Sequence, residues 1–204
     1  MLIRIAILIL LVAFVFLLTK KKDALVRRRM RKISIVIAVI LYSVSLMIPA
    51  PENWIGSFST PNAVCRYLGY GEPVLVLEGE SSAFCVVDQN DKSLILGMPR
   101  NKNGWGIGTV FQLREVRTLS SWGTIEMIHR FDDTDDYYVI VSAAKSGWHQ
   151  VEDSEGSEFQ TIAIENRALH DIDYRYYTYV KGLDDEYTVT VDGVVVEDAR
   201  GDIM

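Results

Sequence analysis

The sequence predicts a mainly β protein: two N-terminal transmembrane helices, followed by an antiparallel β-sandwich or barrel-like domain with one short leading helix. Three observations predict it. Two long apolar runs open the chain, short β-branched and aromatic runs between turn residues fill the rest, and charge is divided between the two parts. Of the 204 residues, the first 48 hold nine Lys or Arg against the single acid Asp23, a net of +8, whereas residues 49–204 carry −14. The acidic sign of the larger part excludes nucleic acid as a partner. A hydrophobic content of 49% excludes a disordered chain.

Transmembrane helix 1 is assigned to residues 1–18. Every residue from Ile5 to Leu18 is uncharged and apolar, and the stretch from Leu2 spans about 26 Å as a helix, close to a bilayer core of about 30 Å. Arg4 can snorkel to the headgroups. Transmembrane helix 2 is assigned to residues 33–50. Its apolar run from Ile33 to Ile48 is broken only by Ser34, Tyr42, Ser43 and Ser45, whose hydroxyls can bond within the helix or across to the first one. Pro49 and Pro51 end it, and Trp54 follows where an interfacial aromatic is expected.

Residues 19–32 form the connection, with Lys20, Lys21, Lys22, Arg27, Arg28, Arg29, Arg31 and Lys32 against Asp23. Short basic loops stay in the cytoplasm. Both termini, and with them residues 51–204, are therefore expected on the extracytoplasmic side of the cell membrane, with the lipid bilayer as a partner. A cleaved signal starting at Met30 is the competing reading, and Ile48-Pro49-Ala50 before Pro51 makes a poor cleavage site.

The 154 residues from Pro51 suffice for one domain with a single core. Ser59-Thr60-Pro61 starts a short helix whose Val64, Tyr67 and Leu68 share a face, and Gly69 with Gly71 stops it. Strands are expected at Val74 to Leu77, Ala83 to Val87, Leu94 to Leu96, Trp105 to Leu113, Ile125 to Phe131, Tyr137 to Ser142, Phe159 to Ile164, Tyr174 to Val180, Tyr187 to Val191 and Val194 to Val196, with a loop at Pro99 to Gly104. Asp192-Gly193 signals a type I′ hairpin that sets Val191 against Val194 and Val189 against Val196. No long amphipathic helix is present for crossovers, hence a sandwich or barrel.

The residues that could carry chemistry are few. Cys65 and Cys85 lie in the exported part, and two readings stand: a disulfide from the short helix to the second strand, or two separate buried thiols. His129 alternates with Ile125, Met127 and Phe131 as a core residue would, and neither His149 nor His170 has a second ligand at metal-site spacing. Asp132, Asp133, Asp135 and Asp136 lack the Gly and Glu of a calcium loop, and Ser81-Ser82 and Ser120-Ser121 lack the glycines of a nucleophile elbow. Gly104, Gly106 and Gly108 alternate with Trp105 and Ile107, which marks close backbone approach rather than a phosphate cradle. No catalytic residue, metal ligand or cofactor is assigned. Arg175, Tyr177, Tyr179 and Lys181 share one face of a tyrosine-rich strand and form the expected partner surface, the other reading being a half-exposed sheet that favours Tyr.

The expected function is a membrane-anchored, non-enzymatic extracytoplasmic β domain that binds or scaffolds an envelope or membrane protein partner. Two alternatives stand beside it. One is a membrane sensor subunit signalling through a partner helix. The other is an envelope hydrolase with a dispersed site, marked by an acid-lined cleft or by His149 beside His170.

Overall fold

The computed structural model describes residues 9–10, 12–14, 16–17, 20, 24–45, 52–89, 92–109, 112–121, 123–143, 146–166 and 171–197. Residues 9–10, 12–14 and 16–17 are helical. They are followed by α1 (Ala24–Ser45), α2 (Glu52–Ile55) and α3 (Pro61–Leu68). The strands are β1 (Leu75–Glu78), β2 (Ser82–Gln89), β3 (Lys92–Asn101), β4 (Gly104–Trp105), β5 (Leu113–Ser121), β6 (Thr124–Phe131), β7 (Asp136–Ser142), β8 (Val151–Asp153), β9 (Gln160–Asn166), β10 (Asp171–Lys181), β11 (Val189–Val191) and β12 (Val194–Val195).

The strands form three antiparallel sheets, ordered β1-β2-β3-β4, β5-β6-β7-β10-β9 and β12-β11-β8. Period-two alternation then stacks them in layers. On β2, Ala83, Cys85 and Val87 face Val64 and Cys65 of α3, while Phe84 and Val86 join Tyr138 and Ile140 of β7 and Tyr177 of β10. On β7 the alternate residues Val139 and Val141 turn the other way, toward Val189 and Val191 of the third sheet and the flanking Tyr187 and Val196. The order is helix α3, first sheet, five-stranded sheet, third sheet. The middle of the five-stranded sheet, at β7 and β10, is therefore covered on both faces, and its edge strands β5 and β9 are not.

The local signals act as expected at two places. Thr60 caps α3 through its hydroxyl, which accepts the Ala63 N–H at 3.2 Å, Pro61 opens the helix, and Gly69 closes it at φ 85°. Asp192 and Gly193 both have positive φ, 52° and 78°, and Val191 pairs with Val194. That is the type I′ geometry.

Other elements differ from expectation. The strand expected from Trp105 to Leu113 stops at Trp105, because residues 106–108 cross against β3: the Gly106 N–H donates to the Pro99 carbonyl at 2.8 Å, and a Cβ on Gly108 would run into the Gly97 carbonyl oxygen. The close approach read from these glycines is what the backbone makes. β3 runs on through Asn101, so the expected loop at Pro99 to Gly104 shrinks to a tight turn. Two strands have no counterpart in the sequence reading. β5 alternates weakly because it is a sheet edge with an extra residue, Val116, bulged between Glu115 and Arg117, and β8 is only three residues long.

At the N-terminus, α1 begins at Ala24, so Arg27 to Lys32 ride on the same helix as the apolar run instead of forming a loop. Among the described residues no helix is long and apolar enough to cross a membrane. Residues 1–8 of the first expected membrane helix, residues 46–50 of the second, and Lys21 to Asp23 of the connection lie outside the described residues.

Candidate functional site

Of the expected partner surface on β10, only Tyr177 is buried, while Lys181 is exposed and Arg175 and Tyr179 lie between. Tyr177 is 1% exposed, stacked into the core between the first and second sheets, and Tyr179 is half-buried there. Arg175 is also partly buried and Lys181, the most exposed of the four, pairs with Glu80 at 2.7 Å. Tyr177 and Tyr179 look toward β1 and β2 while Tyr176 looks toward the third sheet, so the middle of the strand is covered on both sides, whereas Ile172 near its start is 46% exposed.

Two buried polar clusters tie the layers together. Asp136, at the start of β7, accepts from the Ser81 N–H at 2.8 Å, the Ser82 hydroxyl at 2.7 Å, the Glu80 N–H at 3.2 Å and the Tyr179 hydroxyl at 2.9 Å. The Tyr138 hydroxyl lies 2.8 Å from Ser82 Oγ and, with that proton spent on Asp136, is the donor. Burial and then the Asp136 carboxylate push the Tyr179 hydroxyl up to about 12. Thus the turn between β1 and β2 is clamped onto the central sheet by one carboxylate.

The second cluster joins the central and third sheets. Glu126 on β6 is fully buried and takes the Arg117 Nη2 and Nε protons on Oε1 at 2.7 and 3.1 Å, while Nη2 also reaches the Tyr187 carbonyl at 3.0 Å. Burial raises the Glu126 carboxyl above its ordinary range, and Arg117 opposes the rise. The Tyr187 hydroxyl donates to Asp153 at 2.9 Å. Both carboxylates, Asp136 and Glu126, are buried between sheets and taken up by these bonds, which suits bracing. Sequence reasoning missed Glu126 because a strand with one buried face would have shown it to water.

Cys65 and Cys85 are brought together in the first core as buried free thiols, each the other's nearest polar influence. The Cys65 sulfur, then burial, pushes the Cys85 thiol up. His129 is partly buried, its ring centre 6.4 Å from that of Phe84, and burial lowers its pKa. Among the described residues no three His, Cys, Asp or Glu side chains gather to hold a metal ion. His170 lies outside the described residues.

The loop before β8 is the most distinctive outward feature. The Ser146 hydroxyl donates to Asp173 at 2.9 Å, the Gly147 N–H to the Ile172 carbonyl at 3.0 Å, and the His149 N–H to the Tyr176 hydroxyl at 2.6 Å. His149 Nδ1 sits 2.7 Å from Asp192 Oδ2, and the Gln150 N–H reaches Asp192 Oδ1 at 2.9 Å. In the middle of these ties Trp148 stands 68% exposed. A large aromatic held out on a loop that is already ordered loses little entropy on meeting a partner. Nothing in the sequence separates this tryptophan from a core one.

Comparison with family models, with curated proteins and with solved structures finds no match.

Proposed function

We propose that the protein is a membrane-anchored binding or scaffolding module. Its N-terminal helices sit in the bilayer with the basic segment in the cytoplasm, and its layered β domain is displayed on the extracytoplasmic side. One observation supports the anchor above all. Ile33, Ile35, Val36, Ile37, Val39 and Ile40 of α1 are each 50% to 59% exposed, and at 100° per residue they spread over about 200°, more than half of the helix circumference. An exposed apolar arc of that width suits an apolar solvent. The run continues in sequence through Leu46, Met47 and Ile48, and the division of charge, +8 before residue 49 and −14 after it, fits the positive side inward.

Binding is the reading favoured for the domain because its two bonded carboxylates, Asp136 and Glu126, are buried while Trp148 is presented on a braced loop. The test uses the full chain in cells, with one protease-cleavable tag at the C-terminus and another between Lys22 and Asp23. The C-terminal tag is expected to be cut in intact cells, the internal tag to be protected, and the protein to stay with membranes in alkaline carbonate. Release by carbonate, or protection of the C-terminal tag, refutes the proposal.

A further inference from the structure

Each of the three sheets ends in two edge strands, and all but one of these edges are guarded. β4 and β12 are two residues long, β8 three and β1 four, while β5 is broken by the bulge at Val116 and carries Arg114, Glu115 and Arg117 beside it. Short length, bulges and charges are the means by which an edge is kept from pairing. β9 has little of this protection. It runs for seven residues in unbroken register with β10, and its sequence, QTIAIEN, holds no Pro, no Gly and a single charged residue, Glu165. Among the described residues no strand pairs with its other side, so every second residue turns its backbone N–H and C=O outward along that edge.

The strand is also complementary to itself. Antiparallel pairing of two copies about a two-fold axis at Ala163 sets Ala163 against Ala163 and Ile162 of each copy against Ile164 of the other. Ile162 and Ile164 lie on the face of the sheet that carries Tyr177, where Ile162 packs at the margin of the core and both are only half-buried. Pairing brings the four isoleucines of two copies together on that face and completes the margin. Thr161 and Ala163 are exposed on the opposite face, and the small side chain of Ala163 leaves nothing to clash at the axis.

We propose that β9 pairs with β9 of a second copy of the chain, antiparallel and centred on Ala163, so that two five-stranded sheets become one continuous sheet. A contact along seven residues, about 24 Å of strand, is small for a dimer in free solution. The pairing therefore rests on the anchor reading above, which confines the copies to one membrane and raises their effective concentration.

The experiment takes the full-length protein in native membranes as three single variants, Ala163→Cys, Thr161→Cys and, on the guarded edge, Val116→Cys, oxidised mildly with copper phenanthroline and run on a non-reducing gel. All three positions are exposed, and the native Cys65 and Cys85 are fully buried, so wild type serves as the blank. Opposed Cα atoms of antiparallel strands lie about 4.5 to 5.5 Å apart, within disulfide reach, whereas the two copies of residue 161 would be offset by about 14 Å along the strands. Ala163→Cys is expected to form a reducible dimer roughly tenfold more efficiently than either of the other variants. A second measurement needs no added thiol: resonance energy transfer between full-length chains labelled on C-terminal tags in vesicles is expected to be lost with Ala163→Lys, which sets like charges across the axis, and kept with Val116→Lys. No dimer from Ala163→Cys, equal crosslinking at the three positions, or energy transfer that survives Ala163→Lys overturns the pairing. Release of the wild type from membranes by alkaline carbonate overturns the anchor reading instead, so the two failures are told apart.

Discussion

Removing Arg117 should cost the fold more than any other single change to a charged side chain outside the Asp136 cluster. The Glu126 carboxylate is fully buried, and its Oε2 has no hydrogen-bond partner among the described residues. All of its compensation comes from Arg117, through two bonds to Oε1. Breaking a buried pair from one side leaves an uncompensated charge and costs about 3 to 5 kcal/mol. Arg117→Ala is therefore expected to lower stability by about that amount near neutral pH, and the same change also frees the Tyr187 carbonyl that positions the third sheet. Replacing both partners by apolar residues, Arg117→Met with Glu126→Leu, is expected to recover most of the loss, because the desolvation cost disappears with the charge.

The pH dependence gives the argument a second edge. Glu126 has its carboxyl raised by burial in the folded state, with Arg117 pulling it back down. A raised carboxyl contributes stability that is complete below the ordinary carboxylate range and is lost as pH climbs through the folded value. Without Arg117 the folded value rises further, so the loss becomes larger and extends to higher pH. The assay is denaturant unfolding of the full-length protein in detergent micelles, followed by near-ultraviolet circular dichroism at acid and neutral pH. If Arg117→Ala costs less than about 1 kcal/mol and its penalty is the same at both pH values, the pair behaves as a hydrated surface bridge and the reasoning is refuted.

Asp136→Ala strips the acceptor from two backbone amides and two hydroxyls at once. The same unfolding assay should show a loss of about 3 kcal/mol or more, and a loss under about 1 kcal/mol would mean that water replaces the carboxylate. Gly108→Ala sets a methyl against the Gly97 carbonyl oxygen, where two backbones meet and neither can yield. The yield of folded protein in detergent and its melting temperature are expected to drop sharply, and a wild-type melting temperature would contradict the crossing of residues 106–108 over β3. If the domain is exported, Cys65 and Cys85 should be oxidised to a disulfide worth about 3 kcal/mol in the chain-entropy model. Protein denatured without reductant should then take up no maleimide and two equivalents after reduction, whereas full labelling before reduction would leave them as separate thiols.

How far the fold was legible depends on whether a signal is local. The α3 boundaries are set by Thr60, Pro61 and Gly69, and the last hairpin by Asp192-Gly193, each within a few residues of where it acts, and all of them emerge as read. What lies between layers was not legible. Alternation shows that a strand has two faces, but not that both are covered, so the pattern alone puts Tyr177 on a surface and does not single out Glu126, and both are core. β5 was missed for the opposite reason: an edge strand interrupted by a bulge at Val116 has little pattern to show.

The covering of both faces also limits where function can reside. A partner cannot reach the middle of the central sheet, since the first sheet closes one side of β7 and β10 and β8, β11 and β12 close the other. What remains accessible is the rim, with the edge strands β5 and β9, and the N-terminal helices. On the rim, the loop of Trp148 is braced from two directions, by Ile172, Asp173 and Tyr176 of β10 and by Asp192 at the hairpin tip. The hairpin that was easiest to read in the sequence thus acts as a support for the residue that was hardest to single out. If that is its role, Asp192→Ala should loosen the loop and raise hydrogen exchange at His149 and Gln150 while the protection of β6 and β7 stays unchanged. Unchanged exchange at those two amides would show that Trp148 is held without the hairpin.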